Sequence, residues 1–167
     1  MNDISKSQQF SRLLESHKGI LIKVARTYCQ RSEERQDLIQ EIRIQIWLSL
    51  TKYKPEFKMS TWLYRIAINT AISFYRKDKQ RQLNAVKLDD EIQETDESSE
   101  VDKEHQLTLL ENFIQELDEF DKALMLLYLE GKKYEEISNI LGLTKSNVGT
   151  KIGRIKSDLK RKFSKLK

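Results

Sequence analysis

Between Lys52 and Lys77 the chain interleaves rings with cations: Lys52, Tyr53, Lys54, Phe57, Lys58, Trp62, Arg65, Asn69, Arg76 and Lys77. Flat rings accept bases that have left a stack, and cations hold the neighbouring phosphates, so this set fits single-stranded nucleic acid. A solvated helix whose tryptophan packs in the core accounts for the same residues. A second set lies near the C-terminus: Thr144, Lys145, Ser146, Asn147, Thr150, Lys151 and Arg154. Such side chains, at the N-terminal end of a helix in the major groove, reach base edges and phosphates of a duplex. Covalent chemistry has no visible seat. His17 and His105 are far apart and lack companion ligands, no glycine-rich phosphate loop is present, and no nucleophile, base and stabiliser can be grouped. The expectation is a protein that is not an enzyme and takes no metal or cofactor.

The elements that must position these residues are helical. In KYEEISNILGLTKSNVGTKIGRIKSDLKRKF, Ile137, Ile140 and Leu141 share one helix face, Gly142 supplies a left-handed stop, and Thr144 can cap the next helix. Val148, Ile152, Ile155, Leu159 and Phe163 then form an apolar stripe, which predicts a helix-turn-helix. From Thr144 to Lys167 there are nine basic residues and the single acid Asp158. Before the hairpin, Leu107, Leu110, Ile114 and Leu117, then Leu124, Leu127 and Tyr128, should supply the core of a four-helix unit, with Asp121 as a cap and Gly131 as a stop.

Toward the N-terminus, Phe10, Leu13, His17, Ile20, Val24 and Tyr28 predict a helix over 10–29. Ile39, Ile42, Ile46 and Leu50 predict a second, where Leu38 and Trp47 enlarge the apolar surface beyond one face; this excess suits either a partner or simple burial of Trp47. Pro55 interrupts the pattern, and Ser60 can cap a third helix from Thr61. Leu63, Ala67, Ala71 and Phe74 would line its core face, leaving Trp62, Arg65, Asn69, Ser73 and Arg76 on another.

The 167 residues include only five glycines and one proline, and 34% are charged, which favours an all-α fold of two small helical domains. The net charge of +4 conceals its distribution. Residues 1–82 carry +8, residues 83–104 carry −7, and residues 105–167 carry +3. The middle segment, LNAVKLDDEIQETDESSEVDKE, therefore reads as a flexible acidic linker between domains at 1–82 and 105–167. The last domain divides again, with −5 over 105–143 and +8 over 144–167. No signal peptide or membrane-spanning run is visible, and the lone Cys29 reads as packing, so a cytoplasmic protein without membrane insertion is expected.

In this order the motifs resemble those of a bacterial RNA polymerase sigma factor of the two-domain, extracytoplasmic-function group. DLIQEIRIQIW resembles the polymerase-binding segment, STWLYRIAINTAISFYRK the promoter-melting and minus-ten segment, and the C-terminal hairpin the minus-thirty-five reader. The resemblance implies that Asp37, Leu38, Gln40, Glu41 and Trp47 meet core RNA polymerase, on the clamp helices of its largest subunit, and that the flap of the second-largest subunit is a further contact. It implies that the loop from Lys52 to Ser60 holds a flipped minus-ten base, with Trp62, Arg65 and Asn69 matching the third-helix pattern. Val148, Lys151, Arg154 and Leu159 match the end of the hairpin motif. Promoter DNA and an anti-sigma factor are the other implied partners. Arg43 stands where the family usually has an apolar residue, Ser73 where it often has aspartate, and Ile155 and Lys156 replace a common alanine and arginine. A stand-alone helix-turn-helix regulator of duplex DNA is the rival reading, and an all-helical interaction module a third; the first leaves the Trp62 face unexplained, and the second predicts no salt-dependent DNA affinity.

Overall fold

The computed structural model describes residues 2–84 and 101–166, among which lie seven α-helices and no strand. The first lobe comprises α1 (Asp3–Tyr28), α2 (Ser32–Ser49), a 3-10 turn (Leu50–Lys52) and α3 (Met59–Asn84). The second comprises α4 (Val101–Gln115), α5 (Glu119–Leu129), α6 (Tyr134–Leu141) and α7 (Lys145–Ser164).

In the first lobe the predicted stripes face one another: Leu13, Ile20 and Val24 of α1, Leu38, Ile42 and Ile46 of α2, and Leu63, Ala67 and Ala71 of α3 are all buried. The two alanines let α3 approach its neighbours closely. Its core face is wider than expected, since Tyr64 and Ile68 are buried as well. α1 begins at Asp3 rather than Phe10 because polar residues extend a nucleated helix readily; Ile4 in this extension is exposed. At His17 the backbone leaves helical geometry (φ −127°, ψ 18°), and its ring Nδ1 lies 3.1 Å from the Leu13 carbonyl oxygen, supporting an acceptor in the opened ladder. α3 starts at Met59, so Ser60 is inside the helix and not its cap.

In the second lobe the cap of α5 is Asp118, whose carboxylate accepts from the amides of Phe120 and Asp121; the expected cap, Asp121, is the donor and already lies in the first turn. Gly131 (φ 73°) closes α5, with the Lys132 amide donating to the Leu127 carbonyl at 3.1 Å and the Gly131 amide to the Tyr128 carbonyl at 3.0 Å. Gly142 (φ 70°) ends α6. Leu107, expected in the core, is exposed, and α4 packs only through half-buried side chains such as Leu110 and Phe113. α5 supplies the centre instead, with an uninterrupted buried run from Lys122 to Leu127.

The continuity of that run has a physical reason. One side of α5 faces its own lobe and the other faces α1 and α3, so the buried side chains of both lobes form one continuous cluster. At the seam the buried Tyr28 donates its hydroxyl to the Glu119 carbonyl, and Gln115 Nε2 donates to the Thr27 carbonyl at 3.2 Å. Lys122 is buried there, its ammonium 4.6 Å from the centre of the Tyr75 ring. Of the expected connector, residues 83–84 and 101–104 are helical ends of α3 and α4, and residues 85–100 lie outside the described residues.

Candidate nucleic-acid interface

The loop between the 3-10 turn and α3 folds back on itself: the Tyr53 hydroxyl donates to the Phe57 carbonyl at 2.9 Å. This holds the Tyr53 ring 5.2 Å from the half-buried Trp62 ring, tilted by 58°, at the start of α3. Phe57 remains exposed, with the Arg65 guanidinium 5.1 Å from its ring centre. Lys52, Lys54 and Lys58 are exposed around this corner. A tilted ring pair, an exposed third ring and the bordering lysines are the groups that stacking on a base and pairing with phosphates require.

Farther along α3 the expected face divides. Asn69 and Ser73 point outward and line a groove of ≈ 550 Å³ with Glu41, Gln45 and Lys77. Arg65 is half-buried and donates twice to the Asn139 carbonyl of α6, at 3.1 and 2.6 Å. Arg76 pairs with Glu119 at 2.8 Å, and this hydrogen bond holds the Glu119 carboxyl below its ordinary range. The structure thus brings Lys52, Tyr53, Lys54, Phe57, Lys58, Trp62, Asn69 and Lys77 to an open surface and turns Arg65 and Arg76 toward the second lobe.

On α2, Asp37 and Gln40 are exposed, and Glu41 is half-buried, accepting from Gln45 Nε2 at 3.1 Å. Leu38 is completely buried between the helices, so it holds the lobe together and offers no contact surface. The spacing that puts Asp37 on the outside rotates the next residue inward. Trp47 is also engaged internally: Phe10 packs edge-on against it at 5.2 Å, and the Lys6 ammonium lies 4.3 Å from its ring. The apolar residues that α2 does expose are Ile44 and Leu48, at 51% and 58%. Their spacing from Asp37 and Gln40, in steps of three and four, was the signal available in the sequence.

In the hairpin, the Thr144 hydroxyl accepts from the Asn147 amide at 3.1 Å, fixing the start of α7. Thr144, Lys145, Ser146, Asn147, Thr150 and Arg154 are exposed on the face opposite Val148, Ile152 and Ile155, which are buried against α5 and α6. Lys151 is half-buried, its ammonium 5.8 Å from the Phe120 ring. Burial raises the nearby Asp121 carboxyl, an effect the charge of Asp118 reinforces and Lys151 and Arg154 oppose. At Gly149, where α7 passes Tyr134, an added Cβ would stand 3.4 Å from the ring, an ordinary contact, so packing there does not demand glycine.

Other titratable groups serve packing. Burial pushes the Cys29 thiol up to about 11 and the Tyr64 phenol up to about 12. Among the described residues no three or more His, Cys, Asp or Glu are grouped so that they could hold a metal ion, and no helix is long and apolar enough to cross a membrane.

An all-helical fold with an exposed helix-turn-helix and a separate aromatic, basic corner defines a DNA-binding transcription factor. Residues 13–82 match the Sigma-70 region 2 family and residues 107–159 the Sigma-70 region 4 family. RNA polymerase sigma factor SigZ of Bacillus subtilis is 30% identical over 126 residues, covering 74% of this chain and 69% of its own. From the same organism, RNA polymerase sigma factor YlaC is 28% identical, covering 80% of this chain and 79% of its own, and ECF RNA polymerase sigma factor SigW is 24% identical, covering 99% and 96%. The sigma factor RpoE of Bartonella quintana, solved in complex with the anti-sigma factor NepR, has the same fold, with a TM-score of 0.67 at 17% identity, covering 93% of this chain and 94% of its own. This chain belongs to the RNA polymerase sigma factor family, in its extracytoplasmic-function group. It is an alternative sigma factor, directing RNA polymerase to promoters.

Proposed function

We propose that the chain divides this activity among three surfaces. Asp37 and Gln40, with Glu41 at the groove edge and the exposed Ile44 and Leu48 continuing the same face toward the end of the helix, dock α2 on the clamp helices of core RNA polymerase, while Trp47 is held by Phe10 and Lys6 of α1. The second lobe meets the flap of the second-largest subunit. The corner formed by Tyr53, Phe57 and Trp62 takes up an unstacked minus-ten base; Asn69 reads along the same strand, and Lys52, Lys54, Lys58 and Lys77 hold its phosphates. Stacking on aromatic rings is worth about 1–3 kcal/mol per base, which offsets the cost of unpairing and so favours melting. Thr144 to Arg154 read the upstream element in the major groove. Polymerase carries out the chemistry and this chain catalyses no step. It acts in the cytoplasm, and a protein inhibitor of the anti-sigma kind, such as the one bound to RpoE, regulates it.

The observation that carries this reading is the exposed apolar pair on α2, which packing inside the lobe leaves uncovered. The test is co-elution of the full chain with core RNA polymerase, beside a Gln40→Ala, Leu48→Ala variant. Co-elution of the wild type and its loss in the variant support the reading. A wild type that ignores polymerase and shifts duplex DNA alone returns the stand-alone regulator.

A further inference from the structure

Three acids crowd the start of α5, and two of them are committed. Asp118 accepts from the amides of Phe120 and Asp121, and Glu119 accepts from Arg76 at 2.8 Å. Asp121 is half-buried, and among the described residues no donor or cation bonds its carboxylate. It faces α7. Burial raises its carboxyl, the charge of Asp118 adds to the rise, and Lys151 and Arg154 lie near enough to lower it.

Those two cations are placed differently. Arg154 is exposed, whereas Lys151 is half-buried, with its ammonium 5.8 Å from the centre of the Phe120 ring, within cation–π range. Lys151 stands between the exposed Thr150 and the buried Ile152, at the edge of the reading face. A flexible four-carbon stem lets a lysine at such an edge turn either to DNA or to α5. Here it turns to α5. Lys145 and Arg154, exposed on the same helix, meet neither a ring nor an ion-pair partner among the described residues.

We infer that Phe120 and Asp121 are positioning residues for the upstream reader: they draw Lys151 off the face that meets DNA, so that α7 holds phosphates with Lys145 and Arg154 and not with Lys151. This deepens the function proposed above and rests on it. The consequence is a weaker hold on arbitrary duplex. Contacts to phosphates carry no sequence information and add affinity at every site, while Ser146, Asn147 and Thr150 are the groups suited to base edges. One phosphate contact fewer shortens the stay at wrong sequences.

The test measures binding of the full chain to a mixed-sequence DNA duplex over a range of salt. It compares the wild type, Asp121→Asn, Lys151→Ala and the double variant. Asparagine keeps the shape of Asp121 and removes its charge. Because the freed lysine adds one phosphate contact, Asp121→Asn should bind about three- to ten-fold more tightly at low salt, and the slope of log affinity against log salt should steepen by about 0.9. Lys151→Ala alone should change affinity by less than about two-fold, and the double variant should bind as Lys151→Ala does. Phe120→Leu, which keeps an apolar side chain without the ring, should shift affinity in the same direction, and it decides the matter if the asparagine variant does not fold. Glu111→Gln, which removes an exposed acid of α4, controls for net charge and should bind as the wild type does.

A gain in Asp121→Asn that persists without Lys151 overturns the inference, as does a Lys151→Ala variant that loses a full phosphate contact, or a Glu111→Gln variant that gains as much as Asp121→Asn. Arg154→Ala separates this inference from the reading beneath it. Loss of affinity in Arg154→Ala upholds α7 as the duplex surface whatever the Asp121 variants do. An Arg154→Ala variant that binds as the wild type does overturns both.

Discussion

The two surfaces suited to DNA are built on opposite plans. On α7, Lys145, Ser146, Asn147, Thr150 and Arg154 stand exposed on a helix capped by Thr144 and anchored by Val148, Ile152 and Ile155. On α3, Arg65 is spent on Asn139 and Arg76 on Glu119, while Trp62 leans on Tyr53. The first surface needs no rearrangement to lie in a groove. The second is half-engaged with its own protein, and engaging a strand with both arginines requires exchanging protein contacts for DNA contacts. A duplex presents its groove edges without being opened, whereas a melted strand appears only after energy has been spent, so the difference matches the roles proposed for α7 and α3.

Variants can break or sharpen this contrast, and the largest effect concerns the scaffold behind the α3 face. Leu38→Ala should destabilise the protein by about 2–5 kcal/mol in denaturant unfolding, because the side chain is wholly buried. Leu48→Ala, on the exposed side of the same helix, should change stability by less than about 1 kcal/mol yet lose polymerase in co-elution. Next comes the corner proposed to take up a minus-ten base. Trp62→Ala should reduce permanganate-detected opening by about ten- to a hundred-fold, the equivalent of one lost stacking contact, and leave duplex binding by α7 unchanged. If duplex binding fell equally, the two surfaces would not be separate. Lys151→Ala with Arg154→Ala should weaken upstream duplex binding and lower the slope of affinity against salt by about one per lost phosphate contact, with polymerase association intact.

The smallest effect lies in the seam. The Glu119 carboxyl is held below its ordinary value of 4.5, chiefly by the hydrogen bond from Arg76. A lowered carboxylate pKa means that the ionised form favours the folded state in which Arg76 meets Glu119. The contribution is therefore full above that ordinary value and is lost as pH falls through the depressed one. Thermal melts of the wild type between pH 5 and about pH 3 should lose stability more steeply than those of Glu119→Gln.

Much of the architecture could be read from local pattern. The stripe from Val148 to Leu159, the left-handed Gly142 and the Thr144 cap depend on neighbours a few residues away, and each lies where the pattern put it. Asp118 displaced Asp121 as the cap of α5 because either acid suits the position by type, and one turn of register decides. Leu38 was legible as apolar but not as buried. Hydrophobic composition assigned α2 more contact residues than its outer face holds, and rotating the helix against α1 and α3 put Leu38 inside and left Ile44 and Leu48 outside. The negative charge on residues 105–143 was countable but had no address.

The sequence by itself determined the helices, the Thr144 cap and the Gly131 and Gly142 stops, the aromatic and basic character of both candidate DNA surfaces, and membership of the sigma factor family, because these depend on spacing and residue type along the chain. Only the tertiary structure decided which side of each helix is free, and that Arg65 and Arg76 face acceptors on the second lobe instead of solvent. Those outcomes depend on contacts between Lys23 and Glu130, or Arg65 and Asn139, which are far apart in the chain. No local periodicity encodes such pairings; they arise when buried faces, seeking cover, bring the lobes together.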